Sequence, residues 1–119
     1  MNKTDSSYND IKKRLLEFRK QRDWEQFHDP KNLAEAISIE AGELLEHFLW
    51  KKNDDPSIYE EQTKDKVKEE LADIFIFITY LCDAYKIDIF EEVNNKIEVN
   101  RKKYPADKAR GISTKYDQL

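Results

Sequence analysis

Two acidic pairs, Glu40-x-x-Glu43 and Glu70-x-x-Asp73, stand inside stretches that otherwise read as apolar helices. A spacing of three puts both carboxylates of a pair on one helix face, a turn apart. A carboxylate turned toward a core costs on the order of several kcal/mol unless something positive compensates it. Four that converge repel one another unless cations lie between them. Hard cations with oxygen ligands, Mg²⁺ first, are the natural occupants. The pattern predicts a metal site held between two helices by Glu40, Glu43, Glu70 and Asp73. Two plainer explanations compete: a solvated charged face, since a single E-x-x-E is common on helices, or a buried ion pair with Lys or Arg. Glu40 interrupts an apolar stripe and Asp73 interrupts the most apolar helix, which favours the metal.

Other chemistries fit less well. A di-iron carboxylate bundle wants two Glu-x-x-His motifs, and neither His28 nor His47 stands three residues after a Glu of the acidic pairs. Zinc wants several His or Cys ligands, and this chain has two His and one Cys, spread apart. A phosphate loop is excluded because the only glycines are Gly42 and Gly111. No motif marks a Ser or Cys nucleophile. Gly42 lies inside the first acidic pair, where glycine costs a helix about 1 kcal/mol relative to Ala. It predicts close approach of a ligand or of another backbone.

Four helices must position these residues. The first runs from Ser7 to Arg22, with Tyr8, Ile11, Leu15, Phe18 and Arg22 at helical spacing. The second opens at Asp29-Pro30, a cap followed by a residue suited to the first helical position. It carries Leu33, Ile37, Glu40, Leu44 and Phe48 on one stripe and reaches Trp50, before a break at Asn53-Asp54-Asp55-Pro56. The third starts near Ser57, where Ser57-x-x-Glu60 has capping-box spacing, or a few residues later, and runs to Tyr85. Leu71 to Cys82 is apolar on every side but for Asp73 and Thr79, so this helix is predicted to be central and buried. Read alone, residues 74–79 could pass as a strand, but no turn residue separates them from the charged helical approach. The fourth begins at Asp88, carries Val93, Ile97 and Tyr104, and stops at Pro105, leaving 106–119 as an irregular tail. The expected fold is all-α, a four-helix bundle in one domain spanning 1–119.

Composition agrees. Charged residues make up 39% of 119, and Gly and Pro together number only five, which favours helices over a turn-rich sheet protein. The longest run without a charge, Ile74 to Cys82, is nine residues, far short of a membrane span. The lone Cys82 excludes an internal disulfide framework and fits a reducing compartment. The start, Met1-Asn2-Lys3-Thr4-Asp5-Ser6-Ser7, has no apolar signal core. These features predict a cytoplasmic protein with no membrane partner. Net charge is −4 but unevenly spread: residues 35–95 carry 16 acids against 6 bases, and residues 96–119 carry 7 bases against 3 acids. That division suits a metal held by one part and a polyanion by the other, though solvated helix faces would give it as well.

Aromatic residues form a third group. Trp24, Phe27 and His28 precede the second helix and Trp50 lies at its end. Flat faces of this kind stack on a nucleobase, and His28 can hydrogen-bond a base edge. Covering a core at helix ends is the alternative use. In the basic segment, Lys96, Asn100, Arg101 and Tyr104 have the chemistry to hold phosphates.

Taken together, the chain resembles the MazG-type all-α nucleoside triphosphate pyrophosphohydrolases, and within them the dCTP pyrophosphatase branch. The E-x-x-E and E-x-x-D pairs are separated by 26 residues. The branch resemblance extends to Arg22-Asp23-Trp24-Glu25-Gln26-Phe27-His28, to the run from Glu43 to Trp50, to Asn100-Arg101-Lys102-Lys103-Tyr104-Pro105-Ala106, to Ala109-Arg110-Gly111 and to Lys115-Tyr116. It covers about residues 8–116. The resemblance implies cleavage of NTP to NMP and pyrophosphate with Mg²⁺, the metals held by Glu40, Glu43, Glu70 and Asp73, which are then the catalytic residues. It implies a base pocket from Trp24, His28, Trp50 and Phe77, and triphosphate contacts from Lys96, Asn100, Arg101 and Tyr104. It also implies a homotetramer, a dimer of dimers, acting on a free nucleotide and not on a nucleic-acid polymer. Two positions depart from the branch: Leu15 stands where it often has His, and Phe77 where Tyr is common. Both bear on base choice, leaving dUTP or a broader set of triphosphates as alternatives to dCTP or modified dCTP. A helical interaction protein with no activity is the third reading.

Overall fold

A computed structural model describes residues 7–119, all of it helix, turn or irregular backbone among those residues. The stretch 1–6, and with it most of the polar start, lies outside the described residues. The chain divides after Lys86 into two units.

In the first unit, α1 spans Tyr8–Gln21. Ser7 caps it in a capping box with Asp10, which satisfies two backbone donors reciprocally. Trp24 follows in a loop that turns through Asp23, at φ 54°, and a single 3₁₀ turn over Glu25–Phe27. Then α2 spans Pro30–Glu46, its cap Asp29 accepting from the Asn32 N–H at 2.8 Å. This helix ends earlier than its stripe predicts. From His47 on, bonds to the residue three back replace those to the residue four back; such bonds tighten the end of a helix. The chain leaves through Trp50 at φ 65°.

The third helix, α3, spans Glu61–Tyr85. Ser57 does not cap it. Asp55 instead accepts from Ser57 N and opens a 3₁₀ turn over Pro56–Tyr59, and Thr63 donates to the Ser57 carbonyl. The helix ends at Lys86 in a left-handed conformation, φ 56°, a position more often filled by glycine. The 74–79 segment is helical, and Thr79, wholly buried, satisfies its hydroxyl on the Phe75 carbonyl at 2.9 Å.

α2 packs along α3, and α1 crosses α3. Among the described residues the apolar core of fully buried side chains is small: Leu33, Tyr80 and Cys82. Within one chain α3 is not covered on all sides as its sequence predicts, since Leu71 is 52% and Phe75 40% exposed. Gly42 meets nothing within 4 Å of where a Cβ would stand, so no helix crossing inside this chain requires it.

The second unit holds α4, Ile89–Lys103, and a single helical turn, α5, Ala106–Ala109. Asp88 Oδ1 caps α4 by accepting from Phe90 N and Glu91 N. The tail is more ordered than Pro105 suggests. It forms α5 and a 3₁₀ turn at Tyr116–Gln118, and Tyr116 returns to α4 with its ring edge-on to Tyr104 at 6.1 Å and Lys103 Nζ 4.7 Å from its centre.

Candidate active site

Glu40 and Glu43 project from one face of α2, and Glu70 from the facing side of α3. Carboxylate oxygens of all three lie within 4.8 Å of one another, half-buried. Asp73, the fourth sequence candidate, is not part of this triangle. It is exposed one turn further along α3 and lines a neighbouring cavity. Its charge still reaches Glu40.

The electrostatics show what the cluster lacks. The Glu40 carboxyl is raised to about 7, first by sharing a proton with Glu70, then by burial, by contact with Glu43 and by the charges of Glu43 and Asp73. The same contact with Glu40 pulls Glu70 below the ordinary carboxylate value, helped by His47. Like charges this close cannot all ionise without help. Glu40 Oε2 and Glu70 Oε2 are both sealed from water with no hydrogen-bond donor among the described residues. Buried carboxylate oxygens without a donor, three acids from two helices, and no Lys or Arg paired to any of them in the structure make a donor set that fits a hard divalent cation. The buried ion-pair explanation fails here.

His47 is the residue that spacing arguments overlooked. Its Nε2 lies 3.2 Å from Glu70 Oε1. Residues 40, 43 and 47 follow the i, i+3, i+7 rule of one helix face, so the signal was present in the sequence.

Beside the cluster is a cavity of about 300 Å³. Its α3 wall is Asp73, Ile76, Phe77 and Tyr80, one face of that helix; α1 adds Leu15 and Phe18; the loop before α2 adds Trp24 and His28. Both departures from the branch pattern, Leu15 and Phe77, therefore border the same space. His28 rests on Tyr80 with ring centres 4.7 Å apart. Burial, and then the charge of Arg19, hold His28 below the usual histidine value. Cys82 is buried and its thiol pushed up by that burial, which makes it inert as a nucleophile.

One candidate of the first unit stands outside the cavity. Trp50 is 92% exposed and takes no part in the cavity. Lys96, Asn100, Arg101 and Tyr104 lie in the second unit. There, residues 96, 100 and 104 share one face of α4, and Arg101 pairs with Glu98 at 3.4 Å.

The described residues are helical with glutamates gathered between two paired helices, and the family comparison agrees with that arrangement. The model of the MazG-like family covers residues 36–119, taking in all four acids, and the chain belongs to that family. Its similar relatives include dCTP pyrophosphatase 1 of Homo sapiens, 39% identical over 112 residues, covering 92% of this chain and 66% of that protein. The Mus musculus protein of the same name is 38% identical over the same shares. The chain thus spans just under two thirds of the length of these relatives. Among solved structures, a pyrophosphatase from Archaeoglobus fulgidus is 43% identical with a TM-score of 0.76, covering 82% of this chain and 91% of that one.

Proposed function

We propose that this chain is one MazG-like domain that hydrolyses nucleoside triphosphates to the monophosphate and pyrophosphate, with Mg²⁺ as cofactor and dCTP or a modified dCTP as preferred substrate. The observation that carries the reading is the double position of Asp73. Its charge acts on the acidic cluster, and its side chain lines the aromatic cavity. A base in the cavity therefore lies next to the acids that manage the phosphates. The relatives named dCTP pyrophosphatase support the choice of substrate.

Glu40, Glu43 and Glu70, whose oxygens converge, with Asp73 at the edge of the cavity, would hold the metal. Bound there, a divalent cation neutralises phosphate oxygens and makes water a better nucleophile at neutral pH. Glu43 touches both Glu40 and Glu70, and neither of its oxygens is sealed without a partner. We assign it the proton of the water that attacks the α-phosphorus, general-base work that requires hydrogen-bond reach of that water. His47 fixes Glu70 through Oε1. Trp24 and Phe77 offer flat apolar surface to the base, and His28 a hydrogen-bonding edge. Lys96, Asn100, Arg101 and Tyr104 enter as triphosphate ligands on the family pattern and on their chemistry, donors suited to a charge-rich leaving group.

A panel of triphosphates incubated with Mg²⁺ should release monophosphate and pyrophosphate in equal amounts, dCTP or a 5-modified dCTP fastest, and nothing in excess chelator. Faster turnover of dUTP or of purine triphosphates would transfer the base preference to the altered Leu15 and Phe77 walls. Turnover of none would leave the interaction-protein reading.

The exposed apolar residues support an assembly. Leu71, Phe75 and Trp50 remain in water in the single chain, more than scattered surface hydrophobics explain. We propose a homotetramer, a dimer of dimers, in the cytoplasm; no helix among the described residues is long and apolar enough to cross a membrane. Sedimentation should show a species near four times the 14.3 kDa chain mass, and a monomer at micromolar concentration would refute the tetramer.

A further inference from the structure

One buried ion pair, on the Tyr80 ring behind the cavity wall, has no role in the scheme above. Arg19 Nη2 donates to Asp83 Oδ2 at 2.7 Å, the two side chains only 10% and 14% exposed. Arg19 Cζ stands 4.9 Å from the centre of the Tyr80 ring. Tyr80 is buried, donates its hydroxyl to the Leu15 carbonyl at 2.9 Å, and carries His28 on its ring at 4.7 Å with a tilt of 34°. The stack draws on α1, α3 and the loop before α2.

A pair this deep is weak evidence for stability, because well-packed apolar replacements often do as well or better. Its place behind the cavity wall calls for another reason. His28 supplies one. Its Nδ1 is sealed from water and has no partner among the described residues. An N–H sealed without an acceptor costs the full desolvation of that donor, so the ring proton belongs on Nε2, the nitrogen left open. We propose that Arg19 is a positioning residue for His28: anchored by Asp83 and laid on Tyr80, it fixes the imidazole so that Nε2–H is offered to an acceptor on the edge of an uncharged heterocyclic base. The charge of Arg19 and the burial of the ring also oppose a second proton on it. Besides His28, the ionisable groups that line the cavity are Tyr80 and Asp73 of α3.

This inference rests on the nucleotide reading and narrows it. The base must present a carbonyl oxygen or an unprotonated ring nitrogen to His28. A cytosine edge supplies both, O2 and N3, whereas a ring that presents only N–H donors at that point would leave Nε2–H unpaired. Loss of one such bond weakens binding about tenfold.

The chain has only two histidines, so ring ¹⁵N spectra of the full chain can be assigned by comparison with His47→Gln. Wild type should show His28 at pH 7 as a single tautomer protonated on Nε2. Arg19→Met combined with Asp83→Leu removes both charges together and leaves neither buried alone. In that variant the His28 signals should move toward a mixture of tautomers, with helix content unchanged. Its KM for dCTP should rise about tenfold while kcat changes less than about twofold. Arg19→Lys keeps the charge for Asp83 but loses the flat guanidinium on the Tyr80 ring, and should give intermediate signals. Wild-type His28 signals in both variants would overturn the proposal, as would an equal loss of kcat on every triphosphate. If wild type turned over no triphosphate, the nucleotide reading would fail, and the spectra, taken on protein alone, would still decide the positioning role.

Discussion

Glu40→Gln and Asp73→Asn should each lower kcat by about two orders of magnitude or more, because each removes an anionic oxygen from the proposed metal ligands. Circular dichroism should show unchanged helix. The more telling result concerns stability. An unfolded glutamate releases its proton near 4.5, whereas folded Glu40 holds it up to about 7. Native protein therefore binds more protons than unfolded protein between those values. The stability from this group is fully present below 4.5 and is lost as pH rises to about 7. Glu70, shifted the other way, acts below its ordinary value and outside that window. His28, held below its usual value, pulls the opposite way as pH rises toward 6.5, so the Glu40 contribution is read as a difference: in chelator, wild type should lose stability relative to Glu40→Gln from pH 5 to pH 7. At pH 8 the Gln variant should melt higher than wild type without metal. Mg²⁺ should reverse the order by binding wild-type native protein alone. A variant that kept full turnover, or that melted lower than metal-free wild type at pH 8, would remove the metal from this account.

Leu33→Ala should cost about 2–5 kcal/mol, the range for truncating a fully buried leucine. Leu33 is 1% exposed and sits on the face of α2 that packs along α3. Few other side chains share that burial, so the loss is large against a total stability of about 5–15 kcal/mol. A fall in melting temperature of about 10 °C or more should follow. The same contact sets the spacing of the acidic pairs, so Mg²⁺ binding should weaken with it. A change of less than about 0.5 kcal/mol would mean that the α2–α3 contact is held elsewhere.

The sequence carried the helical class, the caps at Asp29 and Asp88, and the shared helix face of Glu40 and Glu43, because each follows from local spacing and backbone hydrogen bonding. It also held the His47 signal, in the same i, i+3, i+7 rule that placed Glu40 and Glu43. Where local cues competed, it misled. Ser57-x-x-Glu60 has the spacing of a capping box, yet Asp55 takes the Ser57 N–H. Apolar residues continue to Trp50, yet α2 unwinds after Glu46.

Which carboxylates share a proton, and which stand apart, could not be read from spacing. Three acids converge and Asp73 faces the cavity because α2 and α3 meet at one particular rotation, which side-chain packing sets and periodicity leaves free. The Arg19–Asp83 pair joins residues 64 positions apart in the chain. No local rule reaches that far; only the crossing of α1 over α3 brings a guanidinium, a phenol and an imidazole into one stack.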